Sequence, residues 1–280
     1  MRAIPAEQVT AAVRRLCLEA NTELGEDVLS AIAEAKQREV SDAGVDVLRQ
    51  IEDNAKIAQE TRLPLCQDTG VAVFFIELGQ EVMITGETLV EAVNEGVRQG
   101  YETHYLRKSM VVDPFNRKNT GDNTPAVIHL DIVPGDRLKL CFAPKGGGSE
   151  NMSRLRMLKP ADGREGVKRF VVETVSVAGP NPCPPLVVGV GIGGTFEVAA
   201  MIAKRSLLRP LGSPNPDLEL AKMEEDLLEE INELGIGPQG FGGRTTALAV
   251  HVEIHPCHIA SLPVAVNIQC HSARHKEVEL

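Results

Sequence analysis

Tryptophan is missing from this 280-residue chain, and it has only two tyrosines and seven phenylalanines. Single-stranded nucleic-acid binding leans on aromatic stacking platforms, so their scarcity argues against that class. An excess of positive charge is missing too. With 29 Lys and Arg against 39 Asp and Glu the formal net charge is −10, which would repel a phosphate backbone. The amino-terminal MRAIPAEQVTAAVRRL holds no continuous apolar run, which argues against a secretory signal. The most apolar stretch, Leu186 to Ala203, is broken by Gly189, Gly191, Gly193, Gly194 and Glu197, and is too polar for a bilayer span. These absences predict a cytoplasmic protein without nucleic-acid or membrane partners. No CxxC pair occurs among the six cysteines, which excludes zinc-ribbon and thioredoxin patterns. In a reducing compartment those cysteines are not expected to form disulfides. Internal repeats and low-complexity linkers are absent as well.

What remains is ordinary globular composition, 43% apolar and 24% charged, at a length that buries a substantial core. Apolar residues recur at helical spacing in AEQVTAAVRRLCLEA, EDVLSAIAEAK and GVDVLRQIEDNAKIA, which predicts three helices over residues 5 to 60. Ser41 and Asp42 are candidate caps for the third. VAVFFIEL reads as a strand, TLVEAVNEGVRQGYETHYL as a helix, and AVIHLDIV and RLKLCFAP as strands joined through Pro134-Gly135-Asp136. Further helices are expected in REGVKRFVVETVSVA, in TFEVAAMIAKRSLL and from Pro216 to about Leu234. Further strands are expected in PLVVGVGIGG, TTALAVHVEIH and LPVAVNIQC. The predicted class is α+β. Residues 1–280 form a single domain in this reading, with a helical layer over 1–60 and a mixed α/β body built on a sheet core.

Three motifs invite functional readings. Gly189, Gly191 and Gly194 satisfy G-x-G-x-x-G between a strand and a helix, the context of a dinucleotide site. The second strand with a terminal acid that such a site needs is replaced by RPLGSPNPDLELAKM, a proline-rich loop and another helix. Five histidines (His251, His255, His258, His271, His275) crowd the last thirty residues around Cys257. His251, His255 and Cys257 alternate along one expected strand, His258 does not share their face, and His271 and His275 read as solvated in a polar tail, which argues against zinc. Three glycines in KGGGSEN, residues 145–151, fit a flexible turn or a close backbone approach to a ligand equally well.

Taken singly, each cysteine reads as a small buried hydrophobe. Cys17 fits that on a helix face and Cys141 inside an alternating strand. Cys66, Cys183 and Cys270 differ, because each stands at an element boundary. Three thiolates from distant segments suit a [4Fe–4S] cluster with one iron left without a protein ligand, able to act as a Lewis acid. Their separations are too long for any short motif to establish this.

The ordered set CQDTG, LRKS, NTGDN, KGGGSEN, GPNPCPP, GIGGTFE and HIASLPVAVNIQC, spanning about residues 60 to 270, resembles the class I (iron–sulfur) fumarate hydratase and L-tartrate dehydratase family. In that family one form is a single long chain and another is split into two subunits; this chain looks like the α subunit of the split form, ending ten residues after Cys270. The resemblance implies Cys66, Cys183 and Cys270 as cluster ligands, with Gln67, Asp68, Arg107, Gly148 and His258 around the substrate. Asp68 is the candidate for proton transfer, Arg107 for pairing a carboxylate, and His258 for orienting substrate. A β subunit is expected to supply further cationic residues and a threonine base, in an α₂β₂ assembly, since a subunit at −10 is a poor lone host for a dianion. The expected reaction is dehydration of (S)-malate to fumarate, with L(+)-tartrate to oxaloacetate as the alternative. A dinucleotide-dependent oxidoreductase and a non-catalytic scaffold subunit are the readings from other classes.

Overall fold

The computed structural model describes every residue from Met1 to Leu280. The first half of the chain runs β1 (Arg2–Pro5), α1 (Ala6–Thr22), α2 (Glu26–Arg38), α3 (Asp42–Thr61), β2 (Val71–Gly79), β3 (Val82–Thr85), α4 (Leu89–Thr103), β4 (Val127–Val133) and β5 (Leu138–Lys145). It continues with α5 (Gly147–Glu150), β6 (Arg154–Leu158), α6 (Gly163–Ala178), β7 (Leu186–Gly193) and α7 (Phe196–Ser206). Last come α8 (Leu218–Asn232), β8 (Ala247–His255), β9 (Leu262–Gln269) and β10 (Lys276–Glu279). Mixed helices and sheets make the class α+β, as the periodicities predict. No helix is long and apolar enough to cross a membrane.

Two compact units divide these elements. The first comprises Met1–Leu24, Asn54–Gly147 and Arg274–Leu280; the second comprises Gly25–Asp53 and Gly148–Ala273. All three predicted amino-terminal helices are present. The helix α1 belongs to the first unit, whereas α2 and the start of α3 belong to the second. Ser41 caps α3 as expected, its Oγ accepting the Gly44 N–H at 3.2 Å.

In the first unit a four-stranded sheet has the order β10-β5-β2-β4, with β2 parallel to β4 and antiparallel to β5. One apolar face carries Phe74 and Phe142, whose ring centroids lie 5.0 Å apart. Leu16, Val93, Val97 and Tyr101 from α1 and α4 join the same core. The two helices approach closely because α4 presents glycines. A Cβ on Gly96 would lie 2.5 Å from Val13 Cβ, and one on Gly100 2.7 Å from Cys17 Cβ. A capping box of Thr88 and Glu91 starts α4.

The second unit holds a sheet of order β6-β9-β7-β8, with β7 parallel to β8 and antiparallel to β9. Alternation along β7 sends Val188 and Val190 into a core with Phe170 and Val171 of α6 and Leu227 and Ile231 of α8. Gly189 and Gly191 meet α7 instead. A Cβ there would stand 2.1 Å from the Ala203 carbonyl and 2.2 Å from the Ala199 carbonyl, so side chains are excluded by helix packing. At Gly193, φ is +90° and a Cβ would strike the His255 carbonyl at 2.0 Å. The glycine pattern that imitates a dinucleotide fingerprint therefore serves contact between α7 and β7 and between neighbouring strands.

Four short strands, β1, β3, β6 and β10, were not expected. Each has four or five residues, too few for alternation to register. The tail KEVE pairs with β5 as an edge strand, its acids bridging to Lys139 and Arg137.

Candidate active site

A turn over residues 64 to 70 links α3 to β2 in the first unit. Its start is fixed by backbone partners: Leu65 N–H donates to Asn21 O at 2.8 Å, and Asn54 Nδ2 donates to Leu65 O at 2.9 Å. Cys66 and Gln67 then emerge exposed, Asp68 is half-buried, and Thr69 and Gly70 return to the interior. The turn lifts a thiol, an amide and a carboxylate out just before the chain is buried again.

Asp68 is held by backbone donors. Its Oδ1 accepts the Gly70 N–H at 3.0 Å, and its Oδ2 accepts the Gly147 N–H at 2.8 Å. Each carboxylate oxygen keeps a second acceptor position for a proton or a substrate group. The main-chain oxygen of Asp68 accepts from Arg274 Nη2 at 2.7 Å, and Arg274 is buried. Gly70, at φ +75°, passes so close to β5 that a Cβ would lie 2.7 Å from the Lys145 nitrogen. The glycines of KGGGSEN open the one-turn helix α5 beside this carboxylate, where the sequence alone suggested a turn. Gly146 and Gly147 line it, with Asp68 Oδ2 at 3.4 and 3.8 Å from their notional Cβ positions.

Arg107 lies in the loop after α4 and is exposed, with its Nη1 donating to Gln67 Oε1 at 3.1 Å. Gln67, Asp68 and Arg107, predicted from separate motifs, are thus brought together within one unit. The residues that fix them to one another, Thr69, Tyr101, Asn123 and Arg274, carry no role in the motif reading. Only the buried, left-handed Asn123 (φ +64°) inside NTGDN hints at a special position.

The second unit carries the other predicted residues. Cys183 follows the prolines of GPNPCPP with φ +58° and is exposed. Its carbonyl accepts the His271 N–H at 3.3 Å and His271 Nδ1 at 3.1 Å, which sets the end of β9 beside it and Cys270 next to that contact. His271 is therefore half-buried and engaged rather than solvated. Gln269 Nε2 donates toward Cys270 Sγ at 3.6 Å. His258 stands exposed in the turn between β8 and β9. Its Nδ1 accepts the Ala260 N–H at 3.1 Å, so in the neutral ring the proton sits on Nε2. The strand β8 ends at His255, which leaves Cys257 off the strand and in the turn. Gly148 is exposed, and a Cβ there would find nothing nearer than Asn181 O at 3.8 Å. Within β8, His251 is buried and its Nδ1–H donates to Ser206 O at 3.0 Å, and burial with the nearby Arg209 cation lowers its pKa to about 4.

Burial sorts the cysteines. Cys17 and Cys141 lie in the first unit's core, where burial pushes the Cys141 thiol up to about 12 and the Cys17 thiol far above its ordinary value. Neither is suited to ligate a metal, since the thiolate is the ligand. Cys66, Cys183 and Cys270 form no disulfide, are reachable from solvent as Cys257 also is, and stand at element ends, a donor set that fits thiolate ligation of an iron–sulfur cluster. One belongs to the first unit and two to the second. Within neither unit alone do three His, Cys, Asp or Glu side chains gather as a metal site.

Residues 10–279 match the family model described as fumarate hydratase (fumerase). A Methanocaldococcus jannaschii protein provisionally named L(+)-tartrate dehydratase subunit alpha is 46% identical over 273 residues, covering 95% of each chain. The L(+)-tartrate dehydratase subunit alpha of Escherichia coli strain UTI89 is 36% identical over 258 residues, covering 91% of this chain and 84% of that protein. The corresponding protein of strain K12 is 35% identical over the same length.

Proposed function

This chain belongs to the fumarate hydratase (fumerase) family, and from that premise we propose that it is the α subunit of an iron–sulfur hydro-lyase acting on a four-carbon hydroxy dicarboxylate. The observation that carries the reading is the grouping of Gln67, Asp68 and Arg107 around one turn, where a cation, an amide and a carboxylate meet. Arg107 pairs one substrate carboxylate through its fork of donors, and Gln67 orients that fork. Asp68, fixed by two backbone N–H groups, moves the proton at C3. His258 offers its Nε2–H to substrate oxygen, and Gly148 lets the main chain come close. Cys66, Cys183 and Cys270 are the proposed ligands of a [4Fe–4S] cluster, which when bound supplies Lewis-acid activation of the C2 hydroxyl. In the balance, the C2–O and C3–H bonds break, and hydroxide and proton leave together as water, giving fumarate from (S)-malate.

A β subunit completes the site in this reading. The chain's formal charge of −10 opposes a dianion, so the remaining cations are assigned to the partner, in an α₂β₂ assembly in the cytoplasm. A second reading, dehydration of L(+)-tartrate to oxaloacetate, is favoured by the names of the relatives.

Co-expression with the β subunit, purification without oxygen and assay on both substrates test the proposal. Fumarate formation from (S)-malate is expected to exceed oxaloacetate formation from L(+)-tartrate; the reverse ratio selects the second reading. Asp68→Asn is expected to retain iron and lower kcat by about 10²-fold or more, the range for a positioned acid–base group. Full turnover in that variant removes Asp68 from the chemistry, and inactivity on both substrates refutes the hydro-lyase.

A further inference from the structure

Beyond the proposed contacts to substrate, we infer that Asn123 and Thr69 are positioning residues that lock the Arg107 loop onto the 66–70 turn, and so set the place of the substrate-binding guanidinium. The inference rests on the reading of Arg107 as a carboxylate ligand. Asn123 is fully buried, and both ends of its amide are used. Its Oδ1 accepts the Ser109 N–H at 2.7 Å and the Met110 N–H at 3.2 Å, just after Arg107. Its Nδ2 donates to Gly70 O at 3.1 Å, on the turn that carries Gln67 and Asp68. One side chain therefore spans both loops.

Thr69 forms the second link. Its Oγ1 donates to the Arg107 carbonyl at 3.0 Å. Behind it, the buried Tyr101 hydroxyl lies 2.8 Å from Thr69 O and 3.1 Å from Gly70 O and donates to that pair. The main chain of Arg107 is thus bonded directly to Thr69, the residue after Asp68, and Ser109 and Met110 are tied through Asn123 to Gly70. By contrast the Arg107 side chain makes an exposed contact at Gln67, too weak alone to hold a flexible guanidinium at one spot. Backbone anchoring is what fixes it. Asparagine suits position 123 twice over, because it tolerates φ +64° and offers both an acceptor and a donor.

Loss of the lock is expected to weaken substrate binding more than chemistry, since Asp68 keeps its own backbone bonds. In the co-expressed, oxygen-free complex, Asn123→Ala is expected to raise KM for (S)-malate about tenfold while kcat stays within threefold. The Ser109 and Met110 amides should exchange hydrogen faster in the same variant. Thr69→Val should raise KM in the same direction, and Thr69→Ser, which keeps the hydroxyl, should restore it. A general loss of folding would lower kcat with the active fraction and leave KM alone. Arg107→Gln is measured alongside. If it raises KM while Asn123→Ala and Thr69→Val do not, the lock is refuted and the substrate role of Arg107 stands. If Arg107→Gln leaves KM unchanged, the substrate role falls and the inference with it. Should Asn123→Ala fail to assemble, Thr69→Val against Thr69→Ser decides the question on the same readouts.

Discussion

Replacing Glu39 by glutamine tests how the second unit is held together at the start of β8. Glu39 is 8% exposed and ends the link from α2. Its Oε1 accepts N–H groups of Val40, Ser41 and Arg244 at 2.9, 3.1 and 2.9 Å, and its Oε2 accepts those of Arg244 and Thr245 at 3.0 and 2.9 Å. Glycines make the cradle: a Cβ on Gly243 would reach within 2.5 Å of Oε1, and one on Gly44 within 2.9 Å of Cγ. Burial pushes the carboxyl pKa up, but the backbone donors led by Arg244 and Ser41 outweigh it and hold the pKa below the ordinary range. In Glu39→Gln the oxygen Oε2 becomes an amino group facing two donors, so the Thr245 bond is lost while the shared Arg244 N–H keeps Oε1. A hydrogen bond to a charged group, at about 1.5–3 kcal/mol, predicts a loss of up to about 3 kcal/mol. Urea unfolding followed by circular dichroism should show it. Exchange at the Arg244 and Thr245 amides should speed by up to about 10²-fold if local opening follows the same energy. The sign with pH follows from linkage. A carboxyl with lowered folded pKa adds stability above its unfolded value of about 4.3, and that stability is lost as pH falls through the folded value. The parent should therefore destabilise more steeply below about pH 4 than the variant. A loss under about 0.5 kcal/mol, with unchanged exchange at both amides, would refute the cradle as a stabilising element.

Serine substitution of Cys66, Cys183 or Cys270 is expected to strip most of the iron from the anaerobic complex, measured by iron and sulfide analysis, whereas Cys257→Ser should leave it in place. Iron retained by all three single variants would end the cluster assignment. Gly191→Ala should destabilise the second unit by about 1–3 kcal/mol or more, because its Cβ meets the Ala199 carbonyl at 2.2 Å; an unchanged urea midpoint would contradict the packing account. His251, with its pKa lowered to about 4, stays neutral in the folded state while the unfolded chain protonates near 6.5. Stability should accordingly rise with pH between about 4 and 6.5, with a slope of up to about 1.4 kcal/mol per unit from this residue, and His251→Gln should flatten that part of the profile.

Much of the fold could be read from local pattern because the helices and long strands carry it locally. The spacing of Val9, Val13 and Leu16 gives α1, and Ser41 caps α3 as the sequence suggests. The strands β1, β3, β6 and β10 escaped because a segment such as KEVE is too short and charged to signal burial. It becomes a strand only where β5 offers an open edge with Lys139 and Arg137 for its acids. The glycines of GVGIGG misdirect for a related reason. Their requirement comes from the carbonyls of Ala199 and Ala203 on a helix that must pack against the strand, and a sequence motif does not display that contact. In the site, the candidate residues came from the ordered motifs of the family resemblance. Their support did not, since the bond from Asn123 to Gly70 joins residues 53 apart and the one from Arg274 to Asp68 joins residues 206 apart.

The way the site residues are held bears on their chemistry. Asp68 is fixed by amide N–H groups of Gly70 and Gly147, and the Arg107 guanidinium meets the neutral amide of Gln67. An arrangement pairing Arg107 with a carboxylate would also order both side chains, but an incoming dicarboxylate would then have to displace an attraction of about 4 kcal/mol at about 4 Å and an effective dielectric near about 20. A neutral partner touches the cation without neutralising it, while the backbone bonds of its loop place it. Arg274, another cation at this turn, donates to the Asp68 carbonyl and so holds the main chain of the acid. Backbone groups thus hold Asp68, and the proposed reading assigns its side chain and that of Arg107 to substrate, as a proton-transfer site for an anionic molecule requires.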